Sequence, residues 1–163
     1  MSSESSYSNK DLQITLGFLR FNRSTFFLGL ILLLGIALRV YDLGNESYWI
    51  DEMSTVLEGQ QSVPEILFSG RLDQPPAYYL PFHFWIQIFG TNEVGTRSFA
   101  VLTGIGAIGL LYMIGQRLFG KEVGLLSAFL MTIAEFQIYH SQSARFYSFF
   151  EFMTLLSFLL FTK

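Results

Sequence analysis

Two adjacent carboxylates, Asp51 and Glu52, sit in the stretch Tyr48-Trp49-Ile50-Asp51-Glu52-Met53-Ser54, a short distance past a long apolar run. Such a pair has two readings. Asp at a helix N-cap and Glu in the first turn satisfy orphan amides and complement the helix dipole, and spacing alone favours this reading. The other is acid/base chemistry, in which a carboxylate takes the proton of a hydroxyl. Arg39, Arg97 and Arg145 widen the inventory, because a guanidinium fork matches the oxygens of a phosphate. Asp73-Gln74-Pro75-Pro76 adds a third acid, which a proline-started helix capped by Asp73 explains equally well. In His140-Ser141-Gln142-Ser143-Ala144-Arg145-Phe146-Tyr147, His140 and Gln142 lie close before the arginine, although a lone interfacial histidine is more often simply solvated.

The elements that must position these residues are membrane helices. The 163-residue chain is 51% hydrophobic and 17% aromatic, and only 14% is charged, with a mean hydropathy of +0.41. Soluble domains carry about a quarter charged residues. The absence of cysteine excludes disulfides, cysteine-based zinc sites and a thiol nucleophile. A net charge of −3 gives no footprint for nucleic acid. Gly104, Gly106 and Gly109 lie inside an apolar run, where small residues serve close helix packing and not phosphate binding.

Spans are predicted at about 24–41, 98–116, 122–139 and 146–162, after a polar tail over residues 1–23. Arg39 is expected to snorkel at the far end of the first span. Glu135 and Glu151 fall inside the last two spans, as functional candidates or helix-pairing groups. The segment 75–90 is apolar but short and rich in proline and aromatic residues, so it reads as a helix on the membrane surface. If it does not span, Lys10, Arg20, Arg23, Arg117, Lys121 and Lys163 share one side with the N-terminus, against four arginines opposite. The excess of positive charge on cytoplasmic segments then places the N-terminus in the cytoplasm and the acidic loop 42–96 outside it. Of the sequons Asn22-Arg23-Ser24 and Asn45-Glu46-Ser47, only the second lies outside. Arg39, Arg97 and Arg145 join Asp51, Glu52 and Asp73 in one layer, able to hold a lipid-linked phosphate beside acid/base groups. The expected fold is all-α: a polytopic bundle of about four spans plus surface helices.

The segments "LRVYDLGNESYWIDE", "DQPPAYYL", "EVGTRSFAVLTGI" and "YHSQSARFYS", in that order, resemble the N-terminal part of GT-C membrane glycosyltransferases. The resemblance is greatest to the group holding protein O-mannosyltransferase-like and aminoarabinose-transferase-like enzymes. It implies hexosyl or pentosyl transfer from a polyprenyl (dolichyl-type) phosphate to a protein, lipid or glycan acceptor outside the cytoplasm, in a plasma or ER-type membrane. By the same resemblance Asp51 is the catalytic base, and Glu52 orients it or the sugar. Arg145 takes the lipid phosphate, and Arg39, Asp73, Gln74, Arg97, His140, Gln142 and Tyr147 complete the substrate-binding set. Many relatives carry at position 147 a carboxylate that in some helps hold a divalent ion. Tyr147 cannot do this, which leaves Asp51 and Asp73 as candidate ligands of a Mg- or Mn-type ion.

Members of that group are several times longer, so the chain is expected to be a truncated portion, inactive alone or completed by a second chain. A catalytically inactive four-helix scaffold or assembly subunit is the alternative. A transporter half would show internal repeats and midplane charges, and neither is seen.

Overall fold

The computed structural model describes residues 23–70 and 72–162; the tail before Arg23, with Lys10 and Arg20, and also Arg71 and Lys163 lie outside them. Among the described residues all regular structure is helical: α1 (Arg23–Val40), α2 (Ile50–Gly59), α3 (Val63–Phe68), α4 (Pro76–Phe89), α5 (Glu93–Phe119), α6 (Lys121–Ile133), α7 (Glu135–Ser141) and α8 (Tyr147–Phe161). The all-α expectation holds.

Helix α5, 27 residues long and apolar all round, is the axis. It packs against α1, α4, α6, α7 and α8, and a helix apolar on every face belongs in the middle of a bundle. Two glycines set its closest crossing: a Cβ on Gly115 would come 2.9 Å from the Gly124 Cα of α6. Gly104 faces Ser141 and Gly106 faces the Phe152 ring, whereas Gly109 meets nothing within 4 Å. The expected close packing is therefore found at two of those three glycines, and the pair at 115 and 124 adds to it.

Around α5 the described interior divides into two larger clusters and a small third one of Leu110, Ile114 and, from α8, Leu159. Near its N-terminus, α2, α3 and α4 bury Val56, Ile66, Tyr78, Tyr79, Phe82 and Ile86 against Phe99 and, from α8, Phe149. Farther along, Ala107, Ile108 and Tyr112 meet Ala128 and Met131 of α6, with Leu28, Ile31 and Leu32 of α1 behind them. Helix α1 itself leaves Phe26, Leu30 and Leu33 exposed, the last at 63%.

Helices α1 and α5 are long and apolar enough to cross a membrane. The predicted third span is two pieces, α6 and α7, bent by 65°. Ala134 between them adopts extended backbone, φ −66° and ψ 118°, which interrupts the helical hydrogen bonding. Counting the bent pair as one gives three candidate spans; α8, at 15 residues, falls short of the roughly 20 a span requires. The segment expected at 75–90 is helical as α4, with Pro81 inside it.

The glycine crossing gives the first prediction. Replacing Gly115 with Ala should destabilise the detergent-solubilised protein by about 1–3 kcal/mol, since backbone must move to accept the methyl. Gly109→Ala should leave the unfolding midpoint unchanged or slightly raised. Thermal unfolding followed by circular dichroism measures both.

Candidate active site

Helix α2 carries the two adjacent acids, and one residue of helical rotation, about 100°, separates their fates. Glu52 is 2% exposed; Asp51 is exposed. The first helical residue is Ile50, so Asp51 is not the N-cap. Trp49 holds that position, and its amide donates to Glu52 Oε2 at 3.3 Å. The capping expected of Asp51 is done by its neighbour.

Glu52 does much more. Arg97, from the first turns of α5, donates to it twice: Nε to Oε1 at 3.0 Å and Nη2 to Oε2 at 2.8 Å. The Ala144 amide donates to Oε1 at 2.7 Å. The other Arg97 donors go to carbonyls of the loop before α2: Leu43 and Glu46, both at 2.9 Å, and Ser47 at 3.5 Å. A guanidinium has five N–H groups, and here every one is engaged. Burial by itself would raise the Glu52 pKa, but the Arg97 fork and the amides of Ala144 and Trp49 outweigh it and hold the carboxyl below its ordinary 4.5. The pair stays charged and ties three segments together: residues 43–47, the start of α2, and the 142–146 loop.

Arg39 is likewise spoken for. Its side chain is 0% exposed, so the snorkelling expected of it does not occur. Nε donates to Ser141 Oγ at 3.2 Å, Nη1 to the Gly35 and Thr132 carbonyls at 3.4 and 3.2 Å, and Nη2 to the Met131 carbonyl at 3.4 Å. Met131 and Thr132 are in the last turn of α6, whose carbonyls have no partner within their own helix. A buried cation there satisfies them and complements the negative end of the dipole. Gln142 does the same for α1, donating to Leu38 and Tyr41 carbonyls at 3.2 and 2.8 Å. Glu151 accepts from Gln137 of α7 at 2.6 Å, the helix-pairing alternative. Glu135 opens α7.

Arg145 differs. Nη1 donates to the Asp51 carbonyl and to Thr55 Oγ1, both at 2.9 Å, and among the described residues Nε–H and the Nη2 pair make no hydrogen bond. Among the described residues the Asp51 carboxylate makes no hydrogen bond either. Ser54 and Glu58 continue along α2 at helical spacing, and Asp73 joins them: Ser54 Oγ donates to its carboxylate at 3.5 Å, and its amide donates to Glu58 Oε2 at 3.2 Å. Asp73 does not cap α4, whose N-cap is Pro75. The result is a polar strip of Asp51, Ser54, Glu58 and Asp73, with Arg145 alongside. Glu52 and Arg97 also line a cavity of about 300 Å³, together with Asp42, Glu46, Trp49, Tyr139 and Gln142. Gln74 stands beside Asp73 and makes no hydrogen bond among the described residues. His140 and Tyr147 form an aromatic cluster, rings 4.4 Å apart, with Phe136 4.2 Å from His140. Among the described residues no group of three or more His, Asp or Glu side chains converges as a metal site would require.

A family model for dolichyl-phosphate-mannose-protein mannosyltransferase matches residues 73–163, more than half of the chain and the segment holding Asp73, Arg97 and Arg145. The chain belongs to the dolichyl-phosphate-mannose-protein mannosyltransferase family. Its resemblance to GT-C mannosyltransferases is thereby established, and with its apolar helices this makes it an integral membrane protein. An uncharacterized protein of Aquifex aeolicus (strain VF5) is 30% identical over 115 residues, covering 64% of this chain and 23% of the relative. The chain thus spans about a quarter of that relative's length. No solved structure matches it.

Sequence reasoning missed Thr55, the Ala144 amide and the carbonyls of residues 43–47, because backbone groups and a helix-interior threonine carry no pattern. Sequence reasoning also passed over Asp42, which adopts a left-handed backbone with φ 63°.

Two outcomes are expected for the buried pair. Glu52→Gln leaves the Arg97 charge buried without its counter-ion and should cost about 3–5 kcal/mol of stability. Because the folded-state pKa of Glu52 is depressed, the stabilisation is fully present above about 4.5 and is lost as pH falls through the lower folded value. The unfolding midpoint of the wild type should therefore drop on acidification below that point, and that of Glu52→Gln should drop less.

Proposed function

We propose that this chain carries the catalytic face of a membrane glycosyltransferase that moves a sugar from a polyprenyl-phosphate donor to a hydroxyl acceptor, with Asp51 as general base. The observation that carries the reading is a contrast among charged groups. Glu52, Arg97 and Arg39 are consumed by the fold, while among the described residues the Asp51 carboxylate and three N–H groups of Arg145 have no hydrogen-bond partner, and Arg145 is held against the Asp51 backbone carbonyl. A base and a phosphate-binding fork are the two groups that this reaction needs.

In a single displacement the acceptor oxygen forms its bond to C1 of the sugar as the C1–O bond to the lipid phosphate breaks. The acceptor proton passes to Asp51, and the bonding pair leaves with the polyprenyl phosphate. Donors already aimed at that phosphate stabilise its growing charge without reorganising. Arg145, held by the Asp51 carbonyl and Thr55 Oγ1, fits this role, and Asp73 and Ser54 are placed to bind hydroxyls of the sugar or acceptor. In this reading the chain is multi-pass with a cytoplasmic N-terminus, and α2–α4 and the 142–146 loop lie on the extracytoplasmic side. The layer anticipated from sequence then consists of Asp51, Asp73 and Arg145, with Arg97 and Glu52 as its frame.

The test is transfer of labelled mannose from a polyprenyl-phosphate donor by membranes carrying the complete gene. Asp51→Asn should lower turnover at least about a hundredfold, the scale of a lost general base, with the unfolding midpoint unchanged. Arg145→Gln should raise the KM for donor about tenfold or more, as expected for lost charge-assisted hydrogen bonds. Undiminished transfer by Asp51→Asn rejects the assignment; no transfer by the wild type favours the scaffold.

A further inference from the structure

The cavity lined by Glu52 and Arg97 differs in chemistry from the strip that carries Asp51. Its volume of about 300 Å³ is at the small end of the range for ligand sites. Two acids in its wall, Asp42 and Glu46, are exposed. Asp42 Oδ1 accepts from Asn45 Nδ2 at 2.6 Å, and among the described residues the Glu46 carboxylate makes no hydrogen bond. Arg97 brings no available positive charge, because it is paired with Glu52 and its other donors are taken by carbonyls. Helix ends add to the imbalance. Tyr41 and Asp42 follow directly on Val40, the last residue of α1, and Gln142 follows Ser141, the last of α7. Two helix C-termini, each carrying partial negative charge, therefore border the same space. The remaining wall is aromatic. The rings of Trp49 and Tyr139 meet edge to face with centroids 6.4 Å apart, Tyr41 is the third, and all three are exposed.

Excess negative charge, no available cation and accessible rings select the ligand. An anion finds no donor charge here. A bare divalent ion finds too few oxygens, since among the described residues no three acids converge, and it wants six or more oxygen ligands. A neutral sugar leaves the excess charge unpaired. A substituted ammonium meets both demands: its charge pairs with the carboxylates, and its alkyl groups, which carry part of that charge, lie against the rings. We propose that this cavity is a binding site for a substituted ammonium group, with Asp42 and Glu46 as counter-ions and Tyr41, Trp49 and Tyr139 as its walls. The inference does not depend on the transfer reaction. Helix α1 is long and apolar enough to cross a membrane, so the residues just past its end lie at the bilayer surface. Ammonium groups reach that level from two sources, the headgroup of a choline or ethanolamine lipid and a soluble ammonium compound.

The experiment uses the full chain in phosphatidylglycerol nanodiscs, whose headgroup carries no ammonium, and follows tryptophan fluorescence. Trp49 reports on the cavity; the chain's other tryptophan, Trp85, is stacked on Phe89 within α4, centroids 4.1 Å apart. Tetramethylammonium chloride should give a saturable change that sodium chloride of equal ionic strength and tert-butanol do not give, and Trp49→Phe should lose it. Asp42→Asn combined with Glu46→Gln should raise the half-saturating concentration about tenfold, equivalent to about 1.4 kcal/mol of binding. Asparagine tolerates the left-handed backbone of position 42 and keeps an acceptor for Asn45. Glu122→Gln, which removes an exposed acid outside the cavity, should change nothing. Circular dichroism confirms that each variant is folded. Repeating the titration in phosphatidylcholine nanodiscs identifies the source. A raised half-saturating concentration there assigns the cavity to the lipid headgroup, and an unchanged one to soluble ammonium compounds. Absence of a saturable response to tetramethylammonium, a response untouched by the double variant, or saturation by methyl mannoside in its place overturns the inference.

Discussion

The rest of the structure hangs on the Glu52–Arg97 ion pair. Both charges are withdrawn from water, at 2% and 4% exposure, and burying unpaired charges costs several kcal/mol each. The structure meets that cost by giving every N–H of Arg97 an acceptor and both oxygens of Glu52 two donors. Because those partners come from the loop before α2, the start of α2, the start of α5 and the 142–146 loop, satisfying the pair and assembling this end of the bundle are the same event.

Division of labour between neighbouring acids follows from that. Once Glu52 is turned inward, helix geometry turns Asp51 outward. The Ala144 amide, bound to Glu52, fixes the loop so that the next residue, Arg145, reaches the Asp51 carbonyl. The Asp51 carboxylate and the remaining N–H groups of Arg145 are therefore positioned by groups that are themselves fully hydrogen-bonded. Arg39 acts in parallel from the other side, closing the carbonyls at the end of α6 and holding Ser141, at the end of α7, beside α1. A site on a loop gains precision when a buried network supports it.

Much of this was legible in the sequence, for physical reasons. Uncharged runs near 24–38 and 98–116 become α1 and α5 because apolar length is what a long membrane helix requires. The proline-rich aromatic segment after Asp73 becomes a separate short helix. The sequence also singled out acids and arginines near helix ends, and the structure brings Glu52 to Arg97 and Arg145 to the Asp51 carbonyl. Which arginine is free was not legible. Arg97 is neutralised by groups about fifty positions away in sequence and Arg39 by carbonyls more than ninety away, and backbone acceptors leave no mark in composition. The break at Ala134 was equally silent, with neither proline nor glycine at the bend. It is stabilised by the distant Arg39, and the uninterrupted apolar pattern reads as one span.

The central claim is that Glu52 and Arg97 act as one structural unit beside the groups that are free to act. A double-mutant cycle on unfolding free energy, with Glu52→Gln, Arg97→Met and the two combined, measures it most directly. The account predicts two strongly destabilising single changes and a combined variant much more stable than their sum, because neither charge is then left buried alone. Additive effects would contradict it.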